Sequence, residues 1–203
     1  TTRAVRIHGS GVNMERFAPR RKESNDITFL LMARLLRDKG ILEFAQAAEE
    51  LKRTYPQAVF QILGPFHTNP SMISKEELHQ WTQKGTIHYL GEAQDVRDYI
   101  KECSVFVLPT YYREGVPRSI LEAMSMGKPI ITTIIPGCRE TVIQGENGFL
   151  VPPKDWRALA EAMEYFLKNP ETIEEMGKRS YRLVEEKFDV RKVNAVILET
   201  MGL

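Results

Sequence analysis

Apolar runs and helix-like periodic segments alternate along this chain so regularly that few folds remain open. "ITFLLMA" (27–33) is apolar throughout, as a strand covered on both faces must be. "GILEFAQAAEELKRTY" (40–55) then follows the helical period. The pattern repeats: "AVFQILG" (58–64) precedes "SKEELHQWTQ" (74–83), and "TIHYLG" (86–91) precedes "DVRDYIKEC" (95–103). "SVFVLP" (104–109) precedes a helix starting near 117–119, and "KPIITT" (128–133) is followed by "CRETVIQ" (138–144) and "GFLV" (148–151). "AVRIHG" (4–9) is a candidate strand at the front. Strand, helix, strand at this spacing means βαβ units, hence an α/β fold: a mostly parallel sheet with helices on both faces. From 155 to 203 the helical period stands alone, predicting two or three helices as a C-terminal appendage. Nothing between 28 and 153 has the composition of a linker, so the sheet is one domain.

Composition narrows the function. With 28 basic and 27 acidic side chains, formal net charge is +1, which argues against a dedicated nucleic-acid binder. Cys103 and Cys138 lie far apart with no C-x-x-C spacing and read as buried, reduced thiols of a cytosolic protein. No run approaches the ~18 apolar residues of a membrane span. The four histidines, among them His8 at a strand end, make neither a metal-ligand spacing nor a Ser-His-Asp pattern.

In an open parallel sheet, ligands bind beyond the carboxyl ends of the strands, which directs attention to loops 34–40, 64–73, 91–95, 109–118 and 134–138. Two of these carry most of the chemistry. "REGVPRSILEAMSMGKPIITT" (113–133) leaves a strand, starts a helix near Pro117 to Ser119 and stops it at Gly127 and Pro129. The free N–H groups and positive dipole end of that helix form an anion site, and Gly115 lets a ligand approach the backbone. Ser119-Ile-Leu-Glu122 fits an S-x-x-E capping box, so Glu122 reads either as a cap or as an acceptor for a diol such as a ribose. Glu114 caps nothing and reads by chemistry alone as a solvated loop acid. The other loop, "ARLLRDKG" (33–40), holds Arg34, Arg37 and Lys39, which could neutralise a diphosphate or simply be solvated. There is no G-x-G-x-x-G after a strand and no P-loop.

Glu114 and Glu122, with seven residues between them, form an E-x7-E motif. Together with "ARLLRDKG", "ILG", "HYLGE", "VFVLPTYYREG" and "GENGFLVPPKD", in that order, it resembles the C-terminal, donor-binding half of a retaining GT-B glycosyltransferase of family GT4, over essentially the whole chain. The resemblance implies a Rossmann-like domain forming one half of a GT-B fold, with the acceptor-binding half preceding Thr1. It implies a nucleotide-sugar donor, a UDP-linked hexose or N-acetylhexosamine, and no metal. The implied acceptor is a saccharide or polyprenyl-linked saccharide of bacterial surface polysaccharide synthesis, held through the preceding domain.

Carried over residue by residue, Arg34 and Lys39 would bind the diphosphate, Glu122 the ribose hydroxyls, and Glu114 a hydroxyl of the transferred sugar. Backbone groups of Gly115 and Val116 would touch that sugar, and those of Arg118 and Ser119 the phosphates. Gly91 and Glu92 would border the base. Retention would follow from front-face attack, in a cytoplasmic enzyme peripheral at the inner membrane face, and this unit alone would be inactive. The terminal "FDVRKVNAVILETMGL" resembles a helix that crosses to the preceding domain, leaving Ile197, Leu198 and Met201 partly exposed. Two positions depart from the family's pattern: Pro117 stands where glycine is frequent and removes an N–H donor, and "ILGPFHTNP" replaces a G-x-G after the second strand. A non-catalytic nucleotide-sugar-binding module and a nucleotide-sugar 2-epimerase are the alternatives.

Overall fold

The computed structural model describes residues 9–113 and 115–201. Six strands make one parallel sheet: β1 (Thr28–Met32), β2 (Val59–Leu63), β3 (His88–Tyr89), β4 (Val105–Leu108), β5 (Ile130–Thr133) and β6 (Gly148–Val151). Between them run α1 (Ile41–Thr54), α2 (Lys75–Gln83), α3 (Arg97–Glu102) and α4 (Arg118–Ser125). The strand order is β3-β2-β1-β4-β5-β6, a doubly wound arrangement, and the sheet is parallel as the alternation predicts. The candidate strand at 4–9 lies outside the described residues, apart from Gly9.

The sheet is covered on both faces, and β1 shows how. All five of its residues are buried. Alternate side chains go to opposite sides: Phe29 and Leu31 join Phe44 and Phe60 in one core, while Leu30 and Met32 join Phe106, Leu121 and Val184 in the other. Phe29 stacks on Phe60 at 5.3 Å, and Phe44 meets the same ring edge-on at 6.2 Å. Cys103 and Cys138 are buried and form no disulfide, as expected.

"CRETVIQ" forms only a single 3-10 turn, Arg139–Thr141. Val142 and Ile143 are β-branched and poor helix continuers. The Asn147 amide oxygen takes the Ile143 N–H at 2.7 Å, turning the chain into β6.

The tail is three helices: α5 (Trp156–Lys168), α6 (Thr172–Lys187) and α7 (Val190–Met201). α5 packs beside α1, and α6 packs beside α4. α7 is tied down at its start, where Val12 donates to the Phe188 carbonyl at 2.8 Å and Val190 donates to that of Val12 at 3.0 Å. Beyond buried Val193, α7 exposes Val196, Leu198 and Met201, while Ile197 is half-buried. Among the described residues no helix is long and apolar enough to cross a membrane.

Candidate functional site

The strand order reverses direction between β1 and β4, which opens a crevice beyond the carboxyl ends of those strands. The two loops that leave them, 33–40 and 109–117, are the two that hold the cations and the glutamates. They are stitched together at one atom. The Asp38 carbonyl accepts the Thr110 hydroxyl at 3.0 Å and the N–H groups of Tyr111 and Tyr112 at 2.9 and 3.1 Å. Gly40, at φ +78°, presses so close that a Cβ there would stand 2.3 Å from the Pro109 carbonyl oxygen. Only glycine meets both demands. From below, Thr133 Oγ1 donates to the Thr110 carbonyl at 2.5 Å and Thr132 Oγ1 to that of Leu108 at 2.7 Å.

The three cations of the first loop have separate roles. Arg37 Nη2 donates to both carboxylate oxygens of Glu77 at 2.8 Å, so it is committed to holding α2. Glu77 in turn completes a capping box with Ser74: the Ser74 hydroxyl accepts the Glu77 N–H at 3.1 Å, and Glu77 accepts that of Ser74 at 2.9 Å. Lys39, in the 3-10 turn Arg37–Lys39, is 6% exposed, with its ammonium 4.8 Å from the Tyr112 ring centroid. Arg34 is exposed and makes no ion pair among the described residues.

On the second loop the expected capping box does not form. Pro117 occupies the cap position of α4, and no side chain caps the helix. The N–H groups of Ile120 and Leu121 turn back to the Pro117 carbonyl at 3.1 and 3.3 Å, leaving those of Arg118 and Ser119 outside the backbone ladder. Glu122 sits one turn in, half-buried, with Arg118 loosely placed at 3.9 Å. Burial pushes its carboxyl pKa up, opposed by Arg118 and Arg16. It lines a cavity of about 520 Å³ shared with Asn13, Arg16, Asp95 and Val96.

The far wall of that cavity continues the loop after β3. There Gly91, at φ +78°, accepts the Gly64 N–H at 2.8 Å, and Glu92 is exposed. Added Cβ atoms at Gly91 or Gly115 would meet nothing within 4 Å, so both backbones border open space. Val116 is half-buried beside Gly9. Glu114 and His8 lie outside the described residues. Arg34, Lys39, Gly91, Glu92, Gly115, Val116, Arg118, Ser119 and Glu122 therefore all sit on loops or a helix start at one edge of the sheet. Among the described residues, no group of three or more His, Cys, Asp or Glu could hold a metal ion.

Several residues at this edge were assigned no role from the sequence. Lys154 adopts φ +64°, rare outside glycine, and its ammonium lies 4.8 Å from the Tyr111 ring centroid. Beneath them, Asp38 Oδ1 and Glu43 Oε2 are buried without a hydrogen-bond partner, and burial raises the Glu43 pKa. Free helix N–H groups, cations on the neighbouring loop and a half-buried carboxylate suit a ligand that is anionic at one end and hydroxylated at the other.

The sequence model of the family "Glycosyl transferases group 1" matches residues 13–183. An N,N'-diacetylbacillosaminyl-diphospho-undecaprenol alpha-1,3-N-acetylgalactosaminyltransferase of Campylobacter jejuni is 32% identical over 176 residues, covering 80% of this chain and 45% of its own. The capsular polysaccharide biosynthesis glycosyltransferase CapM of Staphylococcus aureus is 30% identical over 157 residues, covering 77% and 41%. The chain thus spans about half the length of the curated relatives it matches. In fold, it is similar to Anabaena HepE in complex with UDP, with a TM-score of 0.83 at 23% identity over 95% of this chain and 56% of that one. Sucrose-phosphate synthase of Thermosynechococcus elongatus gives a TM-score of 0.84 at 24% identity, over 97% and 52%.

Proposed function

From the premise that this chain belongs to the group 1 glycosyltransferases, we propose that it is the donor-binding unit of an enzyme that moves a sugar from a nucleotide diphosphate sugar to a saccharide acceptor. The observation that carries this reading is the start of α4: a helix N-terminus that no side chain caps, with Glu122 half-buried one turn away. The diphosphate lies on the free N–H groups of Arg118 and Ser119, neutralised by Arg34 and Lys39. Glu122 accepts hydrogen bonds from the ribose hydroxyls, and the base lies toward Gly91 and Glu92. The sugar extends past Gly115 and Val116 toward Glu114.

As the glycosidic bond breaks, negative charge grows on the leaving diphosphate. The same cations and dipole stabilise it, an electrostatic contribution of roughly several kcal/mol. A donor phosphate oxygen taking the acceptor proton on the front face gives retention of configuration.

We assign UDP as the nucleotide, supported by the UDP complex of a protein of the same fold. An N-acetylhexosamine and a lipid-linked acceptor are favoured by the Campylobacter relative, whose name specifies both. The acceptor site belongs to a second domain, supported by relatives about twice the length of this unit. Such an enzyme works at the cytoplasmic face of the membrane.

Calorimetric titration of this chain with UDP, with and without EDTA, tests the reading. Saturable binding that EDTA leaves intact and Arg34→Ala weakens is the expected result. A folded chain that binds none of UDP, GDP or ADP would refute a self-contained donor site.

A further inference from the structure

A cavity of about 920 Å³ lies at the opposite edge of the sheet, where strands β1, β4 and β5 begin. Ile27, Ser104 and Lys128, each just ahead of its strand, form the floor. The five residues of β1 at ~3.3 Å each put this floor roughly 15 Å from the donor edge. Its lining is strongly one-signed: Arg20, Arg21, Lys22, Lys128, Lys178 and Arg182 against Glu174 alone. The chain as a whole carries only +1, so this concentration is local.

Two of the six are already paired, Lys178 with Glu174 at 2.7 Å and Arg20 with Asp98 at 3.3 Å. Among the described residues Arg21, Lys22, Lys128 and Arg182 have no ion pair. Lys128 is 7% exposed and spends its ammonium on two carbonyls that close α3, Lys101 at 2.7 Å and Cys103 at 2.8 Å. Lys22 is half-buried and bonds the Asp26 carbonyl and the Thr28 hydroxyl. Burial lowers the pKa of both, and Lys128 lowers that of Lys22 further. Neutral acceptors hold these ammonium groups in place, while Asp26 and Glu102 act on Lys22, and Glu102 on Lys128, through space without a salt bridge. A buried charge without a contacting counter-charge is costly, and its field is focused by the cavity walls. The rim adds two guanidiniums, whose planar forks match phosphoryl oxygens.

We infer that this cavity is a second anion site, distinct from the donor site and taking a phosphoryl anion. Lys22 and Lys128 face the anion from the floor, while Arg21 and Arg182 hold its outer oxygens. The anion comes from solution or from a lipid headgroup, and the recognising chemistry is the same.

The test is calorimetric titration with inorganic pyrophosphate, in the absence of UDP and again with UDP in excess, so that failure of the donor reading shows separately as absent UDP binding. Pyrophosphate alone can also occupy the diphosphate position of the donor site, so the titration with UDP in excess is the one that reads the second site, and we expect pyrophosphate binding that persists there. The exposed double variant Arg21→Glu/Arg182→Glu should weaken it at least tenfold with no change in melting temperature. Lys128→Met should weaken it too where circular dichroism finds that variant folded; the double variant decides if it is not. Co-sedimentation with phosphatidylglycerol vesicles separates the sources: vesicle binding abolished by the double variant, without pyrophosphate binding, assigns a headgroup. Pyrophosphate with UDP in excess and vesicles both failing to bind, or binding that the double variant leaves unchanged, overturns the inference.

Discussion

Two helices here begin with the same pattern, Ser-x-x-Glu, and use it in opposite ways. At α2, Ser74 and Glu77 close a reciprocal capping box, and Glu77 is gripped from behind by Arg37 through two bonds of 2.8 Å. At α4, Ser119 lies inside the helix, nothing caps it, and Arg118 stands 3.9 Å from Glu122. One glutamate is consumed by the fold, and the other is left over. A helix start that declines its own cap keeps its N–H groups and its carboxylate for something else, and α4 does so at the point where the strand order reverses.

The largest expected effect separates the two glutamates by what each loss damages. Replacing Glu122 with Ala should weaken UDP binding by about tenfold to a hundredfold, the worth of charge-assisted hydrogen bonds at roughly 1.5–3 kcal/mol. The melting temperature should stay within about 1 °C, because no cap is lost. A melting temperature several degrees lower with UDP affinity untouched would make Glu122 a structural residue after all.

Glu77→Ala should do the reverse. The cap and a partly exposed ion pair together contribute about 1–2 kcal/mol, which for a chain of this size lowers melting by about 3–6 °C. UDP affinity should move by less than about threefold, since the altered contacts face α2 rather than the crevice. Equal damage to binding from both variants would mean that the two helix starts do not differ in role.

Acid titration compares them in a third way. Burial works to raise the Glu77 pKa, but the Ser74 N–H and hydroxyl and the Arg37 guanidinium outweigh it and the pKa is lowered. For Glu122 burial wins and the pKa is raised. A lowered carboxyl contributes stability that is present above its unfolded pKa and lost as pH falls through the folded one. A raised carboxyl costs stability that appears as pH climbs from the unfolded pKa through the folded one. Denaturation midpoints, taken as wild type minus Glu77→Gln, should therefore grow with rising pH below the ordinary glutamate pKa. The same difference for Glu122→Gln should shrink with rising pH above it. Parallel slopes would contradict the assignment.

Much of this molecule was legible before the structure, for identifiable reasons. Buried parallel strands must be apolar on both faces, so "ITFLLMA" and "SVFVLP" announced β1 and β4. What no run of residues announces is strand order, which makes loops 33–40 and 109–117 neighbours. Partners distant in sequence were equally hidden: Arg37 and Glu77 are 40 residues apart, so Arg37 looked as available as Arg34. Lys39 looked exposed because nothing local places Tyr112 over it. The Glu122 cap was a misreading that the sequence itself could have prevented. Pro117 fixes φ and forces its predecessor into an extended conformation, so the helix must start at or just after it. Ser119 is then already a turn residue of the helix, too deep to cap it.

The smallest effect expected concerns Arg118. Arg118→Ala should change UDP affinity by no more than about threefold and melting by less than about 1 °C, since an exposed pair at 3.9 Å is worth roughly 0–1 kcal/mol. The proposal places the diphosphate on the Arg118 backbone N–H, which alanine retains. Arg37→Ala, by contrast, should reproduce only part of the melting loss of Glu77→Ala, because it removes the ion pair and leaves the Ser74–Glu77 capping box in place. If Arg118→Ala instead costs binding as much as Glu122→Ala does, the guanidinium and not the helix end carries the phosphate, and α4 would serve as a platform for one side chain.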